Sequence, residues 1–176
     1  MKTYSQSGQD LFVINQLNFL KNGLFVDIAA GHPKTVNNTC LLEEDYGWDG
    51  ISIELDSSFN SEWEKRKTTF INKDAFDIDY DFIFGNFLKK HKKNTNTFDY
   101  LSLDLEPASL TNKLLHMLPL KKYKFKVITY EHDFYKFGDI FKNDTKSYLL
   151  DLGYKIYKEN ISNSGLIYED WYIFEN

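Results

Sequence analysis

The sequence has one cysteine, Cys40, so no disulfide can form within the chain and the fold needs no oxidising compartment. It has no apolar run near the roughly 20 residues of a membrane-spanning helix. Its polar start, Met1 to Asp10, lacks the apolar core of a secretory signal. Positive charge is also short: 21 Lys and Arg stand against 26 Asp and Glu, a net charge of −5. That balance argues against a nucleic-acid partner and against an anionic membrane surface. Among only nine glycines there is no Gly-x-Gly-x-x-Gly, so the pyrophosphate-cradling turn of NAD enzymes is missing. These absences predict a soluble, cytoplasmic chain with neither nucleic acid nor membrane as partner.

What is present is a globular composition, 42% hydrophobic and 27% charged over 176 residues, enough for one domain with a sizeable core. The chain is organised around Gly23 to Gly31. Phe25 to Ile28 is a short apolar run with β-branched members, which suits a buried parallel strand. Ala29, Ala30 and Gly31 let the chain turn at once and let a ligand approach the backbone. Helical spacing is found over Gln9 to Leu20, Val36 to Tyr46, Tyr80 to His91 (apolar face Phe82, Ile83, Phe87 and Leu88) and Thr145 to Leu152. Ser57 and Ser58 are read as caps of a charged helix reaching Lys67, and Pro107 as the first residue of another. Strands are predicted at Ile51 to Glu54, Thr68 to Asn72, Phe98 to Asp104 and Phe125 to Tyr130. Tyr154 to Glu159 and Leu166 to Phe174 have no helix between them and are expected to form a hairpin at the sheet edge. Strands alternating with helices predict an α/β fold: a doubly wound, mostly parallel seven-stranded sheet ending in an antiparallel hairpin.

Acids recur at the predicted strand ends: Asp27, Glu54, Asp104 and Glu131, with Asp74 just past the third strand. In a doubly wound sheet these ends share the rim where ligands bind. Glu54, at the tip of the second strand, is placed to accept hydrogen bonds from both hydroxyls of a ribose. Asp74 can accept from an adenine amino group, or serve only as a turn residue. Asp27 is alternatively a helix cap. Without a phosphate-binding turn, S-adenosylmethionine fits better than a dinucleotide.

The ordered pieces Tyr4 to Asp10, Phe25 to Pro33, Asn38-Thr39, Gly47-Trp48-Asp49-Gly50 and Ser52-Ile53-Glu54 resemble the FkbM-type methyltransferases, from Tyr4 to about Trp171. The resemblance implies a Rossmann-like class I methyltransferase fold, S-adenosylmethionine as cofactor and O-methyl transfer. It implies Asp27 and Gly31 beside the methionine moiety, Glu54 on the ribose, and Asp74 and Ala75 by the adenine. The chain departs from the family at Ala29, where glycine is common and a methyl group would face the cofactor.

Methyl transfer from a sulfonium needs an aligned nucleophile and a group to take its proton. Asp104, Glu131 and His132 come from adjacent strands and are the expected catalytic residues. The arrangement is similar to the metal-dependent catechol O-methyltransferases, with His132 in place of an amide, so the same three residues are the expected ligands of a divalent metal such as Mg²⁺. His132 alone is the alternative base, with His32 a weaker candidate. Glu169 and Asp170 are placed on the active-site rim, with Trp171 either a stacking platform or core packing. The expected acceptor is a small molecule or glycan hydroxyl. Its site would be built from the N-terminal helix, the loops after the fourth and fifth strands, or a second subunit of a homo-oligomer. Two rivals remain: a methyltransferase-like fold that binds a ligand or partner without chemistry, and a nucleotide-sugar or NAD enzyme.

Overall fold

A computed structural model describes residues 2–175. The elements run α1 (Gln9–Gln16), β1 (Leu24–Ile28), α2 (Cys40–Tyr46), β2 (Asp49–Glu54), α3 (Asn60–Trp63), β3 (Thr69–Asn72), α4 (Tyr80–Lys90), β4 (Thr97–Leu103), α5 (Ala108–Met117), β5 (Lys124–Glu131), α6 (Phe134–Phe137), α7 (Asp139–Asp151), β6 (Lys155–Asn163) and β7 (Leu166–Ile173). One seven-stranded sheet has the order β3-β2-β1-β4-β5-β7-β6. β1 to β5 pair in parallel, and β7 enters antiparallel beside β5 with β6 at the edge. The predicted fold class and terminal hairpin are therefore both observed.

Covered faces follow from the period of two in a strand. In β1, Leu24, Val26 and Ile28 enter one core with Phe84, Phe98 and Leu114. Phe25 points the other way, into a core with Phe12, Trp48 and Trp171. Close approach fixes two glycines here. A Cβ on Gly50 would lie 2.3 Å from the Phe25 ring, and one on Gly23 would lie 2.5 Å from Trp48. Trp48 is further held by its Nε1, which donates to Leu20 O at 2.8 Å.

Several element boundaries differ from the sequence expectation, each for a local reason. α1 stops at Gln16 because Asn18 and Phe19 take left-handed φ of 50° and 58°. α2 starts at Cys40, since the Asn37 side chain accepts the Thr39 and Cys40 N–H groups and holds a turn ahead of it. Asp56, rather than Ser57 or Ser58, caps the turn before α3 by accepting from Ser58 N at 2.9 Å. Pro107 precedes α5 instead of opening it. In α4 it is Phe84 that is buried, while Phe82 is 66% exposed.

Candidate cofactor and acceptor site

The turn after β1 carries the strain of the site. Ala29 has φ 59° and Gly31 has φ 58°. A left-handed conformation costs an L-residue about 1–2 kcal/mol, a cost glycine escapes. The turn is then pinned to β2, because Gly31 N donates to Glu54 Oε2 at 2.7 Å. Asp56 N donates to the other oxygen, Oε1, also at 2.7 Å. Each carboxylate oxygen keeps further accepting capacity. A cleft of about 370 Å³ opens at this rim, within the range of roughly 300–1,000 Å³ typical of ligand sites. Ala29, Glu54, Asp74, Ala75 and Asp104 line it, with Phe76, Leu105 and Leu110 as its apolar wall. Asp74 is exposed and spends one oxygen on Phe76 N at 2.9 Å, leaving the other toward solvent. Replacing Ala29 with glycine should relieve the left-handed strain. We expect a gain of about 0.5–1 kcal/mol in denaturant unfolding.

Asp27 does not reach the cleft. It pairs in register with Ser52 and Ser102, two positions deeper than Glu54 and Asp104, and is 2% exposed. Burial pushes its carboxyl up to about 6, opposed by hydrogen bonds from Thr39 and Ser102 and by the Arg66 charge. Thr39 Oγ1 donates to Asp27 Oδ2 at 2.9 Å. Above it Arg66 lies 3.0 Å from Glu43, both side chains under a tenth exposed. Arg66 also donates to Pro33 O, Asn37 Oδ1 and Thr39 Oγ1. Asp27 and Arg66 thus hold the segment between β1 and α2 from inside the fold. Sequence reasoning missed Arg66, although it is the chain's only arginine among many lysines.

The acids of β4, β5 and β7 do converge. Leu103 is level with Tyr130, which brings the next residues, Asp104 and Glu131, side by side. Glu131 is level with Glu169 on its other flank. The result is a cross-strand row, Asp104–Glu131–Glu169. Burial raises the pKa of all three, and a shared hydrogen bond links Asp104 to Glu131. Adjacent like charges compound the effect, so the Asp104–Glu131 pair retains a proton that an exposed pair would lose. Glu169 is pushed up to about 8.

The linkage has a definite sign. A folded pKa above the unfolded value contributes stability at low pH that is lost as pH rises through the folded pKa. Unfolding midpoints should therefore fall from pH 5 to pH 8, and Glu169→Gln should flatten that slope.

His132 does not join the row. It lies one residue past Glu131, so it projects to the opposite face, with Tyr130 and Asp170. It has zero exposure; its Nδ1 accepts from Phe134 N at 3.2 Å and its Nε2 lies 3.3 Å from Asp170 Oδ1. The expected metal set Asp104, Glu131 and His132 therefore does not fit a common ion, and His132 has no open path to a substrate proton. A different set, Glu106, Glu131 and Asp133, brings one oxygen from each within 4.8 Å. The ammonium of Lys136 already stands there, 3.2 Å from Glu106 and 3.0 Å from Asp133. His32 pairs with Glu62 at 2.9 Å, and Trp171 stacks on Phe12 with ring centroids 4.3 Å apart, which settles it as packing.

No family model and no curated protein matches the sequence. Solved structures do. A rRNA methylase from Streptococcus thermophilus aligns over 94% of this chain and 95% of its own, with TM-score 0.56 and 9% identity. The sugar N-methyltransferase KedS8 from Streptoalloteichus aligns over 99% and 89%, with TM-score 0.56 and 11% identity. MtNAS in complex with MTA and tNA aligns over 96% of this chain, with TM-score 0.53 and 13% identity; the chain spans 60% of its length. A mutant of MtNAS has been solved with S-adenosylmethionine. One expectation is overturned. Net charge argues against a nucleic-acid partner, yet a rRNA methylase shares this architecture, so overall charge does not decide that question. Among the described residues no helix is long and apolar enough to cross a membrane. The seven-stranded order, the terminal hairpin and these neighbours together establish that the chain has the Rossmann-like fold of class I methyltransferases.

Proposed function

We propose that the chain is an S-adenosylmethionine-dependent methyltransferase. The observation that carries this reading is the cleft between Glu54 and Asp74. It offers a carboxylate at the tip of β2 with free accepting capacity, an exposed carboxylate after β3, and an apolar wall of Phe76, Leu105 and Leu110. Those acceptors and that wall suit a ribose diol, an adenine amino group and an adenine face in that order. The turn after β1 offers no glycine-rich cradle for a pyrophosphate, which favours a cofactor without phosphate. When bound, S-adenosylmethionine supplies an electrophilic methyl group on a sulfonium.

The chain's own residues then have distinct tasks. Glu54 and Asp74 hold the two ends of the adenosine, and Phe76 and Leu105 exclude water from its base. Asp104, at the end of the cleft, and its partner Glu131 stand ready to take a proton from the acceptor. The resemblance to FkbM-type enzymes favours a hydroxyl of a sugar, glycan or small metabolite, and the carboxyl pair can serve any protic nucleophile. The rival reading, a binding protein without chemistry, draws on the Ala29 methyl group at the cleft wall. Calorimetric titration with S-adenosylmethionine, S-adenosylhomocysteine and NAD separates the possibilities. The proposal expects micromolar binding of the first two and none of NAD. Absence of binding by either sulfur compound would end it.

A further inference from the structure

Where the loop after β4 meets the start of α6, three carboxyl groups crowd together. One oxygen each of Glu106, Glu131 and Asp133 lies within 4.8 Å of the others. Carboxylates gathered beside reacting groups are where a catalytic metal would sit. The chain places an ammonium there instead. Lys136 Nζ donates to Asp133 Oδ2 at 3.0 Å and to Glu106 Oε1 at 3.2 Å, with Glu106 Oε2 at 3.4 Å. We propose that this cluster is a cation site filled by the chain itself: Lys136 stands where a divalent ion would stand, and the site takes no divalent metal. The site does not depend on the methyltransferase reading, but its meaning as a substitute for a catalytic metal rests on that reading.

Geometry carries the argument. Asp133 is 1% exposed and has a left-handed φ of 48°. Its N–H donates to Tyr168 O at 3.0 Å, which ties it to β7. A carboxylate buried in this way is costly without a cation. Lys136 lies three residues on, in the first turn of α6, and that spacing sets two side chains on one face of a helix. The charge and its answer are therefore encoded together. Glu131 shares a proton with Asp104, so the two acids that remain are the two that Lys136 reaches. The oxygens stand at the distance of N–H···O bonds, whereas Mg²⁺ draws its ligands in to about 2.0–2.1 Å. Asp133 Oδ1 is buried and has no hydrogen-bond partner among the described residues. Taking the ammonium away would thus leave both oxygens of this carboxylate bare, and a metal ion could then enter.

The ion pair also has a mechanical consequence. Glu106 lines the cofactor cleft, so Lys136 ties the wall of that cleft to α6. Methyl transfer balances without a metal. The acceptor's proton goes to the Asp104–Glu131 pair, its electron pair forms the bond to the methyl carbon, and the electrons of the C–S bond leave with sulfur.

The test is a Mn²⁺ titration of the wild type, Lys136→Gln and Lys136→Arg, with the free ion followed by electron paramagnetic resonance. The wild type should show no saturable site at the cluster. Lys136→Gln should gain one, with an affinity at least about tenfold above that of the wild type, and adding Asp133→Asn should remove it again. Lys136→Arg keeps a cation in place and should behave as the wild type. Paramagnetic broadening of the Glu106, Asp133 and Phe134 amide signals in ¹⁵N-labelled wild-type protein locates an ion without relying on a variant to fold. Saturable broadening there, or a folded Lys136→Gln protein that gains no Mn²⁺ site, overturns the proposal. S-adenosylhomocysteine affinity of the wild type should be the same in Mg²⁺ and in EDTA. Failure of S-adenosylhomocysteine to bind at all is a separate result: it counts against the methyltransferase reading and leaves the cation site standing.

Discussion

Replacing Arg66 with methionine is expected to cost about 3–5 kcal/mol of folding stability, the usual cost of breaking one side of a buried ion pair. Glu43 is 6% exposed and would keep only its hydrogen bonds from Lys67 N and Thr68 N. Pro33 O, Asn37 Oδ1 and Thr39 Oγ1 would lose a donor as well. Because those three residues belong to the segment joining β1 to α2, the damage should not stay local. Any variant that still folds should bind S-adenosylhomocysteine more weakly even though Arg66 does not line the cleft. Urea unfolding measures the first effect and calorimetry the second. The double variant Arg66→Met with Glu43→Leu removes the stranded charge and should recover part of the loss. An Arg66→Met protein as stable as the wild type would mean that this network does not hold the turn.

Replacing Glu54 with alanine should weaken cofactor binding by roughly a hundredfold, about 3 kcal/mol, since two hydroxyls lose a charged acceptor worth about 1.5–3 kcal/mol each. The same substitution strips the acceptor from Gly31 N and Asp56 N, both at 2.7 Å. Part of the loss is therefore disorder of the turn itself. Glu54→Gln separates the parts: its amide oxygen can still accept from one backbone N–H, so the fold should survive while binding falls. Circular dichroism confirms the fold and calorimetry reads the affinity. Unchanged affinity in both variants would place the adenosine somewhere other than this cleft.

The parts of the site that were legible in the sequence are those fixed by local pattern. Glu54, Asp74 and Asp104 could be read because each follows a recognisable strand, and parallel pairing then brings strand ends to one rim. Ala29 could be read because small residues after a buried strand signal a tight turn. Asp27 is expected at the rim and lies beneath it, because register is not a local property. Only pairing with Ser52 and Ser102 shows that it lies two residues inside the rim. His132 was misplaced by the alternation of faces: one residue past Glu131, it belongs with Tyr130 and Asp170, in the core. The row Asp104–Glu131–Glu169 needed the insertion of β7 beside β5, which brings Glu169 to Glu131 from a distant part of the chain. Arg66 finds its partner Glu43 on another element, and no spacing rule points from one to the other.

A crystal structure of the protein with S-adenosylhomocysteine tests the proposed cofactor cleft directly. It should show the ribose hydroxyls on Glu54, the adenine amino group at Asp74 with the base against Phe76 and Leu105, and the sulfur facing Asp104 and Glu131. A ligand bound elsewhere, or a ribose turned away from Glu54, would contradict the assignment of this cleft as the cofactor site.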